Sequence, residues 1–388
     1  MVGLIGFVLV VAAGLYGCAD ALYGRADTAM IQKLSATPPC TPASLTYPYQ
    51  AGKLSFPKDE GRHSLFELPT TLVEWYAFYA HLAAEDGTRY LLFTTFVTYD
   101  PVEPVLHDRF PHVISTLIDV TNNATYHHHS MTKLKGFAEG HADAETAKGD
   151  HFRWKGATRP FEYDLHVGWR DSDVDYTADL DLQMIKPPLL VNGTGYVRLP
   201  SVDSGYYAQT RVKATGQLRI HGANRKVSGI MWVDRQWLGV PFADGAPYTY
   251  DWWGLQLDNN EEAIMFRIWD TNTKKIVAAR LEINHADGTR EHVNEFTLVD
   301  TPSGWHLCAR KPAWDLRIVF ACQGYKPGGR APVTFMDAKW YSCNVTGTVS
   351  GKRIGGLAVA ELVPKTLPAL SAAESSVWRS ATSQPASK

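Results

Sequence analysis

Apolar residues recur along most of this chain in short runs separated by polar turn residues, and that pattern predicts β-strands. Runs such as 72–82 (LVEWYAFYAHL) and 227–237 (VSGIMWVDRQW) are rich in β-branched and aromatic residues. Turn-type segments such as Glu85-Asp86-Gly87 separate many of the runs, which is typical of antiparallel hairpins. No stretch has the periodicity of a long amphipathic helix. The sequence therefore predicts an all-β fold of two tandem antiparallel β-barrels or sandwiches.

The chain ends differ from this β-rich middle. Residues 22–50 are rich in Pro, Thr and Ser and predict an extended arm, and residues 366–388 predict a flexible tail. A boundary at 205/206 divides the strands about evenly. We therefore expect an N-terminal domain over 51–205 and a C-terminal domain over 206–365.

The first 21 residues have the character of a secretory signal peptide. They contain an apolar run and end in Ala19-Asp20-Ala21, a small-x-small cleavage pattern. A signal anchor and a lipoprotein acylated at Cys18 are the alternatives. No other segment is long and apolar enough to cross a membrane, so we expect a secreted protein without stable membrane insertion after signal removal.

Cysteines and glycosylation sequons agree with the secretory pathway. Four cysteines remain after Cys18, and an even number in an oxidising compartment suggests two disulfides. Three pairings are open, and buried free thiols are the alternative. We favour Cys308–Cys322, which would close a hairpin, and Cys40–Cys343, which would tie the arm to the last strands. The sequons begin at Asn123, Asn192 and Asn344.

The amino-acid composition limits the classes of molecule that this protein is expected to bind. The formal net charge of −2 argues against nucleic acid. The 12 Trp, 18 Tyr and 15 Phe favour an aromatic site for a hydrophobic small molecule. The run His127–Ser130 (HHHS) could suggest a metal site, but on a strand only His127 and His129 would share a face, and no carboxylate or cysteine stands at a supporting spacing. We expect it to be a solvated loop. Without nucleotide or metal-ligand motifs, we expect no metal and no cofactor, and the oligomeric state stays open.

Asp234 and Arg235 interrupt an aromatic strand at 227–237, and strand alternation places them on opposite faces. Trp232 and Asp234 share one face, while Arg235 and Trp237 share the other. If the Asp234 face borders an apolar cavity, desolvation keeps the carboxyl a proton donor. Alternatively, Asp234 pairs with Arg211 and holds the two barrels in register.

The same alternation sorts the other aromatic strands. Trp75 and His81 share a face, with Tyr76 on the opposite one. Tyr207 and Arg211 fall together, where a phenol and a guanidinium would polarise a substrate carbonyl; Arg211 in a structural ion pair is the alternative. The remaining residues that we expect to line the substrate site are Tyr206, Trp232, Trp237 and Trp252.

Four blocks of the chain resemble a known family in order and spacing. The blocks are EWYAFYAHL (74–82), GYYAQTR (205–211), VSGIMWVDRQW (227–237) and WWGLQLD (252–258). They are similar to segments of the family that includes carotenoid 1,2-hydratases and AttH-like proteins. The resemblance covers about residues 72–362 and implies two tandem lipocalin-like β-barrels. Gln236 departs from the family, which has Glu at that position, so one proton-handling carboxylate is absent.

The resemblance and the residues leave three functions open. The family also includes fungal enzymes of terpenoid and polyketide biosynthesis, and a secreted chain with sequons is closest in character to that branch. This implies a pericyclic cyclisation, a Diels–Alder or hetero-Diels–Alder reaction, with Asp234, Arg211 and Tyr207 as catalytic residues. The second function is hydration of a long apolar isoprenoid with Asp234 as the general acid. The third is a non-catalytic carrier of a hydrophobic ligand.

Overall fold

A computed structural model describes residues 26–36, 49–63, 73–99, 112–136, 143–155, 161–168, 176–198, 203–238, 248–323 and 338–363. In these residues the fold is all-β, as predicted, with one α-helix, α1 (Ala26–Ser35). None of the described helices has the length and apolar character needed to cross a membrane. The predicted signal peptide, the tail and Cys40 lie outside the described residues.

The strands are numbered in chain order. The earlier ones are β1 (Tyr49–Ala51), β2 (Leu54–Phe56), β3 (Val73–Ala84), β4 (Arg89–Tyr99), β5 (Val113–Asp119), β6 (Ala124–Ser130), β7 (Ala144–Glu145), β8 (His151–Trp154), β9 (Glu162–Val167), β10 (Tyr176–Met184), β11 (Leu189–Leu190), β12 (Tyr196–Arg198), β13 (Asp203–Ile220) and β14 (Ala223–Leu238). The later ones are β15 (Tyr248–Leu257), β16 (Glu262–Asp270), β17 (Ile276–Asn284), β18 (Arg290–His292), β19 (Phe296–Thr301), β20 (Gly304–Ala309), β21 (Trp314–Gln323), β22 (Lys339–Val349) and β23 (Lys352–Leu362). Short 3-10 helices span Lys58–Glu60 and Val191–Gly193.

Two curled antiparallel sheets, each shaped like half of a barrel, make up most of the described residues, and β1 and β2 form a separate two-stranded sheet. The first runs in the order β6-β5-β4-β3-β14-β13-β10-β9-β8-β7, with β11 and β12 also pairing with β13. The second runs β18-β17-β16-β15-β23-β22-β21-β20-β19. In each sheet the hydrophobic-in, polar-out alternation of an antiparallel strand buries one face against the sheet's own interior.

The change from one sheet to the next falls between Leu238 and Tyr248, and the boundary predicted at 205/206 is wrong. Strand β13 runs through that point without interruption and pairs with β14 from Ser204 to Ile220. Both strands belong to the first sheet, because β14 also pairs with β3. An even division of strands between two domains therefore placed the boundary one hairpin too early.

Helix α1 corrects the prediction of an extended arm over residues 22–50. Its sequence, ADTAMIQKLS, consists mostly of good helix formers, and Ile31 and Leu34 lie on one face at i, i+3 spacing. Both side chains are buried against residues of the two sheets, including Ile230 and Leu357. A helix of ten residues is marginal alone, so its stability comes from this packing.

Besides the small cluster under α1, three larger apolar clusters fill the described part of the fold. The first core lies inside the first sheet and includes Tyr76, Phe78, Tyr207 and Trp237. The second core lies inside the second sheet and includes Trp253, Leu255 and Trp305. Between the sheets lies a cluster that we call the seam, formed by residues of both, among them Tyr79, Phe93, Tyr206, Trp232, Trp252, Phe266 and Trp340.

Cys308 and Cys343 are free thiols, so the predicted disulfides are wrong for both. Cys308 pairs in register with Asp315, whereas Cys322 lies seven positions further along β21 beside Ser342. At about 3.3 Å per residue the two cysteine backbones are roughly 20 Å apart, far beyond the reach of a disulfide. Cys343 is fully buried in the second core.

The HHHS run is part of strand β6 and not the predicted loop. Because residues alternate along the strand, His128 points inward, where its Nε2 lies 2.7 Å from Asp150 Oδ1. His127 contacts the hydroxyl of Thr116 through Nδ1 at 3.0 Å. Each of these two histidines therefore has its own protein partner.

Candidate functional site

Asp234 lies in the seam, held by two neutral donors. Trp232 Nε1 donates to Asp234 Oδ1 at 2.9 Å, and the Tyr206 hydroxyl donates to Oδ2 at 2.6 Å. The two faces of β14 are as predicted, since Trp232 belongs to the seam while Val233 and Trp237 belong to the first core. The carboxyl is thus placed by strand alternation between aromatic side chains.

A hydrogen-bonded chain extends from Asp234 into the second sheet. Trp252 Nε1 donates to the Tyr206 hydroxyl at 2.8 Å, so Tyr206 accepts from the second sheet while donating to a carboxyl of the first. The Trp252 ring stacks on Tyr79 with centroids 5.0 Å apart and meets Trp232 edge-on at 5.7 Å. Such aromatic pairs each contribute about 0.5–1.5 kcal/mol beyond their area burial.

A second carboxyl, Glu361 on β23, lies in the same seam. It accepts from the Tyr79 hydroxyl and from Trp340 Nε1, each at 2.9 Å. The Tyr250 hydroxyl donates to its other oxygen at 2.5 Å. Three neutral donors from two sheets therefore converge on one carboxyl.

Neither seam carboxyl has a basic partner in the described part of the chain. Other buried carboxylates do: Glu74 lies 2.6 Å from Arg235 Nη2, and Glu262 lies within 2.6 Å of two bases. A buried charge without a partner is costly, so a carboxyl in that position tends to hold its proton. Asp234 and Glu361 therefore lie in an environment that raises the pKa of a carboxyl above its usual range.

Burial raises the pKa of Asp234 from 3.8 to about 7, although the hydrogen bonds from Trp232 and Tyr206 act in the opposite direction. The charge of Glu361 raises it further. Burial likewise raises the pKa of Glu361, against the effect of its three donors. Asp234 and Glu361 are 4% and 7% exposed, so neither is sealed completely from its surroundings. The arrangement is suited to proton donation next to aromatic faces.

Arg211 is not in this site, and the prediction that it lies beside Tyr207 is wrong. A β-bulge between Gln209 and Val212 adds one residue to β13, which reverses the faces that follow. Arg211 therefore points to the second sheet, where its Nε lies 2.5 Å from Glu262 Oε1. The alternative reading of Arg211, a structural ion pair, is confirmed, with Glu262 and not Asp234 as the partner.

This ion pair belongs to a larger group that we call the inter-sheet ion cluster. Lys186 Nζ lies 2.6 Å from Glu262 Oε2, and Thr210 Oγ1 donates to the same oxygen at 3.1 Å. Arg211 Nη2 donates to the carbonyl of Leu257 at 2.8 Å. The cluster joins the two sheets and leaves its cations engaged, so they are not available to a substrate in the seam.

Tyr207, Tyr76 and Trp237 lie on the opposite side of the sheet from Asp234. The hydroxyls of Tyr76 and Tyr207 are 3.3 Å apart within the first core. Trp237 stacks on His63 with ring centroids 3.7 Å apart. The predicted catalytic set is therefore divided among three places, and of its members only Asp234 is in the seam.

Two further predicted residues share the Asp234 side of the sheet without contacting the carboxyl. Trp75 is half-buried at the edge of the seam. His81 is fully buried beside Ile230, and burial lowers its pKa to about 4. A histidine that remains neutral in an apolar environment has the character of a core residue.

Sequence reasoning missed Glu361 and its donors. The signal was an acidic residue inside the apolar run GGLAVAELV (355–363), which parallels Asp234 in its own strand. No sequence pattern connects Tyr250, a donor to this carboxyl, with a residue 111 positions further along the chain.

These features define a class of protein: a β-protein of two sheets with buried carboxyls in an aromatic seam between them. The model of the AttH-like family matches residues 47–318, more than half of the chain. The protein therefore belongs to the AttH-like family. No curated protein matches its sequence.

Solved structures share the fold at low sequence identity. A crystal structure described as a putative AttH from Nitrosomonas europaea is 18% identical, covers 83% of this chain and 100% of its own, and has a TM-score of 0.62. Kievitone hydratase from Nectria haematococca is 13% identical, covers 82% and 99%, and has a TM-score of 0.58. CghA with Sch210972, at 13% identity over 76% and 90%, has a TM-score of 0.46, too low to support an inference. The first two likenesses show a shared fold.

Proposed function

We propose that this protein is an enzyme that adds water to a carbon–carbon double bond of an apolar substrate, with Asp234 as the general acid. One observation carries the proposal: Asp234 is a buried carboxyl without a basic partner in the described residues, held by neutral donors among aromatic rings. That environment favours the protonated acid, the form that alkene protonation requires.

The proposed reaction balances without a cofactor. The π electrons of the double bond take the proton of Asp234, which leaves a carbocation and a carboxylate. The faces of Trp252 and Tyr79 stabilise the cation. A water oxygen then bonds to the cationic carbon, and the proton that this water loses returns to Asp234. The fold accommodates such chemistry, since a protein named as a hydratase has it.

A cycloaddition is the second candidate, favoured by the aromatic walls that both sheets give the seam. Tyr79 stacks on Trp252, and Phe93 stacks on Trp340 with centroids 4.0 Å apart. Such walls hold an apolar polyene in a folded geometry. Arg211 and Tyr207 do not contribute, which leaves Tyr206 as the hydrogen-bond donor nearest Asp234. The hydration is preferred because it uses the protonated carboxyl.

The test begins with mass spectrometry of producing cells with and without the protein. A precursor that accumulates in its absence is incubated with purified protein in water labelled with heavy oxygen. We expect a product heavier by one water that carries the label. An unlabelled product of unchanged mass, or of the summed mass of two precursors, would indicate cycloaddition. A precursor that stays bound and unaltered would indicate a carrier. Either result would refute the hydration.

Variants of adjacent tyrosines provide a matched control. Asp234→Asn lacks the acidic proton, and we expect turnover to fall by about 10²- to 10⁴-fold. Tyr206→Phe removes one donor to Asp234, so the pH at which turnover is half-maximal should move upward. Tyr207→Phe makes the same chemical change on the opposite face and should leave this pH profile unaltered. Equal profiles for the two variants would contradict the role of Asp234.

We also propose that the protein passes through the secretory pathway. Asn123 and Asn192 are both exposed, at the β5–β6 turn and just before β12, which suits glycan attachment. Asn344 is half-buried within β22 and is the poorest acceptor of the three. Peptide:N-glycosidase treatment of the expressed protein should lower its mass, and Asn123→Gln should remove part of that difference. A mass unaffected by the glycosidase would contradict the proposal.

A further inference from the structure

Three side chains of different chemistry converge on the outer surface of the second sheet. His306 and Cys308 lie two residues apart on β20, and Asp315 lies on the neighbouring strand β21. Cys308 and Asp315 are partners in register, which brings them to the same face of the sheet. Leu307 points the other way, into the second core. The site therefore lies on the far side of this sheet's interior and shares no residue with the seam.

The distances place three donor atoms around one point. His306 Nε2 lies 2.6 Å from Asp315 Oδ1 and 3.2 Å from Cys308 Sγ. All three donor atoms lie within 4.8 Å of one another. His306 and Cys308 are partly buried and Asp315 is exposed, so the group is accessible to a solute.

A nucleophilic triad does not fit this arrangement. Such a triad uses both ring nitrogens of histidine, one toward the thiol and the other toward the carboxylate. Here a single nitrogen, Nε2 of His306, faces both the sulfur and the carboxylate oxygen. One nitrogen has either one proton or one lone pair in the ring plane, so it cannot satisfy both partners. A metal cation between the three atoms can accept an electron pair from each of them.

We propose that His306, Cys308 and Asp315 form a binding site for a divalent metal ion of the zinc type. Thiolate, imidazole and carboxylate are the ligands that zinc takes, whereas calcium and magnesium select oxygen donors. Three protein ligands leave the fourth tetrahedral position to water. The closest donor atoms need to separate by less than about 1 Å to hold a metal at about 2.0–2.3 Å from each.

This site also explains why no metal motif is visible in the sequence. His306 and Cys308 stand at the spacing of one strand face, and the third ligand comes from the next strand through register, not through chain spacing. A bound ion would fasten β20 to β21 near the edge of the second sheet. Because it binds the folded state, it should raise thermal stability.

The test uses Zn²⁺ and Co²⁺ salts with the full chain, kept reduced by a phosphine. We expect one equivalent of Co²⁺ to give a thiolate-to-cobalt absorption band, and Zn²⁺ to displace it. The thermal unfolding midpoint should rise when Zn²⁺ is added. Cys308→Ala should abolish the absorption band and the rise, while Cys343→Ala, which removes a buried thiol elsewhere, should keep both.

A second pair of variants controls for surface charge. Asp315→Asn should weaken Zn²⁺ binding by about tenfold or more, since it removes one of three ligands. Asp287→Asn removes an exposed acid whose partner is Thr289 in its own turn, and should leave binding unaltered. Two outcomes would overturn the site: no thiolate band with Co²⁺, or Zn²⁺ binding that Cys308→Ala and Asp315→Asn retain at full strength.

Discussion

Replacing Asp234 by asparagine should change how the stability of the protein depends on pH. The folded protein raises the pKa of this carboxyl from 3.8 to about 7. Between those values the folded state holds a proton that the unfolded chain has released. The free energy of unfolding therefore falls as the pH rises through this window, because the folded state binds more protons.

The size of the effect follows from the same shift. About three pKa units, at about 1.36 kcal/mol each, amount to about 4 kcal/mol. Below about pH 4 both states of the wild type hold the proton, and the penalty is absent. Above about pH 7 both states are ionised, and the buried charge costs the full amount. The amide in Asp234→Asn does not titrate, so the variant should gain about 4 kcal/mol on the wild type between about pH 4 and pH 8.

Urea unfolding of both proteins at several pH values measures this difference. Glu361 and the other titrating groups are present in both proteins, so their contributions largely cancel. Asp287→Asn, at an exposed turn, serves as the control and should show no such gain. A difference between wild type and Asp234→Asn that stays constant over this whole pH range would refute the assignment of Asp234 as a protonated acid.

Three other substitutions test the packing around the site. Glu262→Gln leaves the two cations of the inter-sheet ion cluster without their carboxylate and should cost about 3–5 kcal/mol in urea unfolding. In Gly205→Ala the new Cβ would lie 1.9 Å from Trp237 Cε2, so the indole must move; a loss of about 1–3 kcal/mol and an altered near-ultraviolet circular dichroism spectrum should follow. Leu34→Ala empties a fully buried position under α1 and should cost about 2–5 kcal/mol. Wild-type stability in any of the three would contradict the packing described.

Strand alternation was sufficient to sort the site residues wherever pairing is regular. Along β14 it separated Trp232 and Asp234 from Arg235 and Trp237 as observed. It succeeded because the side-chain period of a strand is two and β14 pairs with β3 without a shift of register. The aromatic composition and the acidic interruption of the strand were visible in the same stretch.

The bulge in β13 marks the limit of that reasoning. One added residue moved Arg211 from the face of Tyr207 to the opposite one. Nothing in the local sequence signals the bulge, which coincides with the tertiary pairing of Arg211 with Glu262. The surroundings of Glu361 were likewise not predictable from the local sequence. They form only where the two sheets approach each other, and no local sequence pattern signals that approach.

The order of pairing also has a consequence for synthesis of the chain. In the first sheet, β3 pairs with β14, so a central ladder of that sheet joins residues as far apart as Val73 and Leu238. Every strand of the first sheet precedes every strand of the second, which allows the first half to fold before the other half exists. A nascent chain at that stage would carry Asp234 on an uncovered surface, as an ordinary ionised carboxylate. Its pKa rises when the second sheet closes the seam and burial removes the carboxyl from water, so the protonated form depends on the docking of the two sheets.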